Sequence, residues 1–145
     1  MQSPELLSGG CAVDDRGTLS YLDDQLPFWK MRRFYVVENF STETIRAFHG
    51  HKVEEKFVFV VSGSALVAIA RMVEDGLGEL KRFTLSDRKQ QVLHVPAGYA
   101  NGFRALEPDT KILFLSTATL SEALSDDFRF PYDYFGSDIW KITHR

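Results

Sequence analysis

Apolar residues in this chain come in short alternating or continuous bursts separated by Gly, Pro, Asp and Ser, the spacing of strands and turns. Arg33-Phe34-Tyr35-Val36-Val37 and Lys56-Phe57-Val58-Phe59-Val60-Val61 are aromatic and β-branched, side chains that suit a pleated, half-buried surface. Ser62-Gly63-Ser64 reads as a tight turn, and Ala65-Leu66-Val67-Ala68-Ile69-Ala70 predicts the strand that returns from it. Asp75-Gly76 and Gly78 mark a second hairpin, with Glu79 to Leu85 as its far arm. Gln91 to Val95 predicts a short strand ending at Pro96-Ala97-Gly98. Gly102 to Leu106 and Thr110 to Ser116 follow, split by the turn Glu107-Pro108-Asp109. Only Leu120 to Leu124 reads as a helix. Short strands, frequent turns and no long amphipathic segment predict an all-β sandwich or barrel of the jelly-roll kind. The tail Phe128-Arg129-Phe130-Pro131-Tyr132-Asp133-Tyr134-Phe135 is too aromatic to be a solvated end, and should pack on the body or on a second subunit.

Size and charge narrow the function classes. A chain of 145 residues makes one domain, residues 1–145. At this length a core buries roughly two-thirds of the unfolded surface, so neither metal nor disulfide is needed for folding. Seventeen Lys and Arg against 20 Asp and Glu leave a net charge of −3, which gives no reason to expect nucleic acid or an anionic membrane as partner. Cys11 is the only cysteine, which excludes intrachain disulfides and thiolate zinc clusters. No apolar run approaches the ~20 residues of a membrane span. Met1-Gln2-Ser3-Pro4-Glu5 lacks the basic start and apolar stretch of a secretory leader, so the expected location is the cytoplasm.

The segment richest in chemistry is Arg46-Ala47-Phe48-His49-Gly50-His51-Lys52-Val53-Glu54-Glu55-Lys56. On a strand, His49 and His51 share a face because side-chain direction alternates. Arg46 lies at odd spacing from both and would point the other way unless a bulge intervenes. Two adjacent imidazoles can bind a metal through neutral nitrogens, or act as a base and its neighbour near neutral pH. They can also be plain strand residues with hydrogen-bonded rings. For the metal use, His49, His51 and Glu55 match the first motif of metal-binding cupins, and Gly63 follows slightly late. Their second motif ends in His, whereas Pro96-Ala97-Gly98-Tyr99-Ala100 leads here to Asn101, a poor ligand for a soft divalent ion. His94 is the available substitute.

Taken in order, the motifs resemble the cupin sugar-nucleotide isomerases and epimerases. Asp15-Arg16-Gly17-Thr18-Leu19, Pro27-Phe28, Arg33-Phe34-Tyr35, His49-Gly50-His51-Lys52 and Ser62-Gly63-Ser64 are similar to the dTDP-sugar 3,4-ketoisomerases. His94-Val95-Pro96-Ala97-Gly98-Tyr99-Ala100-Asn101-Gly102-Phe103 and Arg46-Ala47-Phe48-His49 are closer to the dTDP-4-keto-6-deoxyglucose 3,5-epimerases, which usually carry His where Asn101 stands. The resemblance spans roughly Val13 to Trp140. It implies a single-domain cupin jelly roll (a double-stranded β-helix) with a short C-terminal helix and an aromatic tail. It also implies a homodimer, since the relatives are dimers that exchange N-terminal strands.

Both groups of relatives begin by removing the C3 hydrogen of a nucleotide-linked 4-keto-6-deoxyhexose, made acidic by the adjacent ketone. The resemblance therefore implies metal-independent proton transfer without a cofactor, in deoxysugar and polysaccharide biosynthesis. It makes His49 the base, His51 a proton shuttle, Lys56 the stabiliser of the oxyanion, and Tyr35 a proton donor or sugar contact. Arg16 and Arg46 fall where arginines meet phosphate or substrate, and Asn101 falls on the substrate side. Each has a plainer rival: Arg16 can serve only its turn beside Asp14-Asp15, Lys56 can be a solvated edge lysine, and Tyr35 can be core. Phe114 stands where the epimerases place their tyrosine acid, and Asp133 is a loose counterpart of the Asp that pairs with their catalytic His. A single-carbon epimerase or a ketoisomerase fits this pattern. The alternatives are a metal-dependent cupin using His49, His51 and Glu55, and a sugar-binding cupin without catalysis.

Overall fold

Alternation along the strands decides which side chains meet between two sheets. The structure is a computed structural model and describes residues 2–22 and 24–145. Met1, read above as the start of a leaderless N-terminus, lies outside the described residues. Twelve strands are present among the described residues: β1 Glu5–Ser8, β2 Gly10–Asp14, β3 Gly17–Tyr21, β4 Arg33–Glu38, β5 Ile45–His51 and β6 Lys56–Ser62, then β7 Ser64–Val73, β8 Gly76–Ser86, β9 Gln91–Val95, β10 Tyr99–Ala105, β11 Lys111–Ser116 and β12 Phe128–Arg129. They form two five-stranded sheets, ordered β1-β9-β6-β11-β4 and β12-β5-β10-β7-β8, with β2 and β3 as a separate hairpin. All the strand pairs are antiparallel. The predicted jelly-roll architecture is the one observed.

Val58 and Val60 of β6, Val67 and Ile69 of β7, Leu93 and Val95 of β9, and Ile112 and Phe114 of β11 fill the space between the sheets. The intervening residues face outward, yet many are also buried. Phe57 and Val92 are covered by Leu22, Leu26 and Met31 from the segment before β4. Leu66, Ala68, Ala70 and Phe48 are covered by the tail residues Phe130, Phe135, Ile139 and Trp140. Coverage on both faces explains why β6 and β7 read as near-continuous apolar runs rather than strict alternations. The aromatic tail packs on the body, as its composition predicted, and Trp140 is 1% exposed.

Helix α1, Leu120–Leu124, forms where expected and is capped by Thr119, whose side chain accepts from the Glu122 backbone while Glu122 returns to the Thr119 N–H. Three N-terminal strands were not predicted. β2 and β3 stand away from both sheets, and Val13 and Leu19 remain 74% and 61% exposed, so no buried face imposes a legible pattern on them. Strand ends also move slightly: β10 begins at Tyr99, three residues before Gly102, and β11 begins at Lys111.

Candidate active site

Between the open ends of the two sheets lies a cavity of about 570 Å³. Tyr35, Lys56 and Phe114 line it from one sheet, and Arg46, His49, Asn101 and Arg129 from the other. His49 sits directly opposite Asn101 in the β5–β10 ladder and opposite Arg129 in the β5–β12 ladder. Five of the seven residues predicted for the site therefore share its wall: Tyr35, Arg46, His49, Lys56 and Asn101.

Arg46 reaches this wall through a bulge. Asn101 pairs with His49 but Phe103 pairs with Arg46, so β5 carries one residue more than β10 across this interval. The extra residue reverses the alternation and brings Arg46 to the His49 face. Arg46 Nε donates to Asn39 Oδ1 at 2.7 Å, which leaves the rest of the guanidinium for a ligand.

Burial sets the electrostatics of the wall. Lys56 is 6% exposed, and no carboxylate of the described residues lies within 4 Å of its ammonium. Burial holds its pKa below the ordinary value, with Arg33 adding to the effect and Glu54 opposing it. Burial likewise holds His49 low; Arg129 and Lys56 reinforce this, and Asp127 works against it. The direction favours the neutral imidazole of His49. Burial pushes the Tyr35 phenol well above its ordinary value, with Glu54 adding to it, so this group keeps its proton. Its ring stacks on Phe114 with centroids 4.9 Å apart. Asn101 is buried, and its Oδ1 has no hydrogen-bond partner among the described residues.

Two predicted site residues lie elsewhere. His51 is buried next to the cavity rather than on its lining: its Nδ1 bonds the Asp126 carbonyl and lies 3.0 Å from Glu54 Oε2. Arg16 is at the tip of the β2–β3 hairpin, where it grips Asp14 at 2.5 Å with its side chain 87% exposed. Within this chain it serves its turn.

The alternative metal set is not brought together. His94 lies on the outer face of its sheet, stacked on Phe57 and bonded through Nε2 to Glu55 at 2.8 Å. Glu55 also meets Lys30 there at 3.5 Å. Among the described residues no group of three His, Cys, Asp or Glu side chains is arranged to hold a metal ion.

Residues 11–132 match the model of the dTDP-sugar isomerase family described as dTDP-4-dehydrorhamnose 3,5-epimerase. The chain belongs to this family. One curated relative is the spore coat polysaccharide biosynthesis protein SpsL of Bacillus subtilis (strain 168), 29% identical over 92 residues. The match spans 61% of the chain and 61% of SpsL. Among solved structures, the dTDP-4-dehydrorhamnose 3,5-epimerase of Bacillus anthracis, with TDP and PPi bound, superimposes with a TM-score of 0.80 at 24% identity, covering 97% of this chain and 86% of that one. The 3,4-ketoisomerase QdtA of Thermoanaerobacterium thermosaccharolyticum, in complex with TDP, gives 0.73 at 19% identity, covering 91% and 90%. These likenesses establish the jelly-roll fold expected from the motifs.

Sequence reasoning missed Arg129, read only as part of the aromatic tail, and Asp127, which lies just before that tail. They come to the site because the two residues of β12 pair with His49 and Gly50. Asp127, bonded to Arg129 Nε at 3.0 Å, is the acidic residue near His49, whereas Asp133 is exposed in a tail turn. The signal was present in Asp126-Asp127-Phe128-Arg129, charged residues inside an otherwise apolar stretch.

Proposed function

We propose that this single 145-residue jelly-roll domain isomerises or epimerises a nucleotide-linked 4-keto-6-deoxyhexose, with dTDP as the nucleotide. The observation that carries the reading is the convergence of His49, Lys56 and Tyr35 on one cavity. The sugar's C3 hydrogen passes to His49, and the electrons of that bond form an enolate whose charge rests on the C4 oxygen. The Lys56 ammonium faces the cavity, with no carboxylate of the described residues within 4 Å, and stabilises that charge. Return of a proton to C3 from the other face gives the epimer. Alternatively the C4 oxygen is protonated, the C3 hydroxyl gives up its proton and C4 gains one, which moves the ketone to C3. Tyr35, held neutral, donates a proton, and His51 relays one. Arg46, joined by Arg129, supplies guanidinium groups that suit a pyrophosphate. Asn101 offers an unspent amide oxygen to a sugar hydroxyl.

The active assembly is a homodimer located in the cytoplasm. In support, Phe34 and Val36 on the outer face of β4 are 69% and 54% exposed, and the separate β2–β3 hairpin leaves Val13, Leu19 and Tyr21 exposed. A hairpin lodged on a second copy would cover both patches and carry Arg16 toward the partner's site. Sedimentation across a concentration series checks this: a monomer at all concentrations removes the dimer. No described helix is long and apolar enough to cross a membrane.

Incubation with dTDP-4-keto-6-deoxyglucose in deuterated water tests the chemistry. Deuterium should enter at C3, and His49→Asn should stop it. Binding without exchange would make this a sugar-binding cupin, and exchange by neither this substrate nor any other nucleotide-linked keto sugar would end the isomerase reading.

A further inference from the structure

Behind the cavity wall lies a buried carboxylate. The Glu54 side chain is 0% exposed, on the turn between β5 and β6. Its Oε1 is occupied, accepting from Arg33 Nη2 at 3.0 Å and from Ser116 Oγ at 2.5 Å. Its Oε2 accepts no hydrogen bond from the described residues, yet lies 3.0 Å from His51 Nδ1. The Asp126 carbonyl oxygen bonds that same Nδ1. The Asp126 carboxylate accepts the backbone N–H groups of Lys52, Val53 and Glu54 at 2.8–3.0 Å, which fastens the carbonyl and the Glu54 turn to each other.

Two oxygen acceptors thus converge on one ring nitrogen. An unprotonated Nδ1 would set its lone pair against both, in a buried place where repulsion is weakly screened. Nδ1 therefore carries the proton and donates it to the Asp126 carbonyl, while Oε2 acts through its charge alone. A neutral imidazole then keeps Nε2 as its acceptor.

We propose that Glu54 is a positioning residue that, with the Asp126 carbonyl, holds the His51 proton on Nδ1 and stabilises the imidazolium formed when Nε2 takes a second proton. His51, behind the lining, is then a reversible carrier: Nε2 takes a proton relayed from the site and gives one back, so the ring ends each turnover as it began. This rests on the keto-sugar reaction proposed above. A merely structural Glu54 would neutralise Arg33 and leave the His51 proton indifferent to it.

The charged groups around His51 are Lys56, Glu54 and Asp126, with His49 beside it. Burial and Lys56 hold its pKa low, while Glu54 and Asp126 oppose them. Nitrogen NMR of the full chain with labelled histidine should show neutral His51 protonated on Nδ1 and bare on Nε2. Glu54→Gln keeps the shape and the acceptor for Arg33, but should move the His51 titration to lower pH. It should also cut kcat for C3 exchange on dTDP-4-keto-6-deoxyglucose by about 10-fold or more, with KM changed less than about twofold. Glu54→Asp, which keeps the charge, should recover part of that loss. A wild-type His51 carrying its proton on Nε2 overturns the proposal, as does a Glu54→Gln protein with unaltered His51 titration and kcat. Should Glu54→Gln not fold, the wild-type spectrum decides alone. Should no keto sugar exchange, the functional reading fails while the spectrum still decides the tautomer.

Discussion

Gly102 of β10 lies so close against Ala47 of β5 that a Cβ at position 102 would fall 2.9 Å from the Ala47 Cα and 3.0 Å from the Arg46 carbonyl oxygen. Ala47 is within the stretch where β5 gains its extra residue. The absence of a side chain at Gly102 is thus what lets the bulge close and turns Arg46 into the cavity.

Gly102→Ala should therefore cost about 1–3 kcal/mol of stability, the range for forcing a methyl into a packed site. It should also raise KM more than it lowers kcat, since Arg46 and not His49 is displaced. Denaturant unfolding with steady-state kinetics checks both. Unchanged stability would mean that the two strands separate without strain.

The pH dependence follows from burial. His49 has its pKa below the ordinary 6.5, so its basic form persists as pH falls and the acid limb of kcat/KM should lie below that value. Lys56 has its pKa below the ordinary 10.5, so the ammonium is lost early and the alkaline limb should lie below 10.5. A pH series of C3 exchange measures both limbs. The alkaline limb should disappear in a Lys56→Arg protein that retains activity.

Lys56 also sets stability against function. A buried ammonium with no carboxylate within 4 Å among the described residues is costly, and a methionine fills similar volume without the charge. Lys56→Met should raise stability by about 1–2 kcal/mol while reducing exchange at least about 100-fold, the scale of losing one oxyanion donor. Thermal unfolding and deuterium incorporation read the two effects separately.

Tyr35→Phe removes one hydroxyl and keeps the ring stacked on Phe114. Turnover should fall about 100-fold or more, as for loss of a proton donor. Stability should change by less than about 1 kcal/mol, which denaturant unfolding monitors. A large loss of stability with normal turnover would make Tyr35 a core residue only.

Trp140 closes the outer face of the second sheet, packs on Phe48 with centroids 5.6 Å apart, and donates Nε1–H to the Tyr132 carbonyl at 2.8 Å. Trp140→Ala should cost about 3–5 kcal/mol. Because the same tail carries β12, the protein should also lose protection of the Phe130 amide, which donates to the Phe48 carbonyl, in hydrogen exchange.

What the sequence determined by itself was local. Aromatic and β-branched runs between Gly, Pro and Asp specified the strands, because propensity and turn chemistry act over a few neighbouring residues. The His-x-His spacing placed His49 and His51 on one strand for the same reason. The motif order also carried the family, since it preserves which residue types succeed one another. The tertiary structure decided the rest. The bulge opposite Gly102 is a matter of register between two strands, so no single-strand pattern could show that Arg46 joins His49. Arg129 and Asp127 reach the site through a two-residue strand whose partner is far away in the chain, too short to have a period of its own. The split between His49, on the cavity, and His51, held behind it by Glu54 and Asp126, depends on which distant groups the fold brings to each ring. Strand periodicity tells which face a side chain takes, and only packing tells what it meets there.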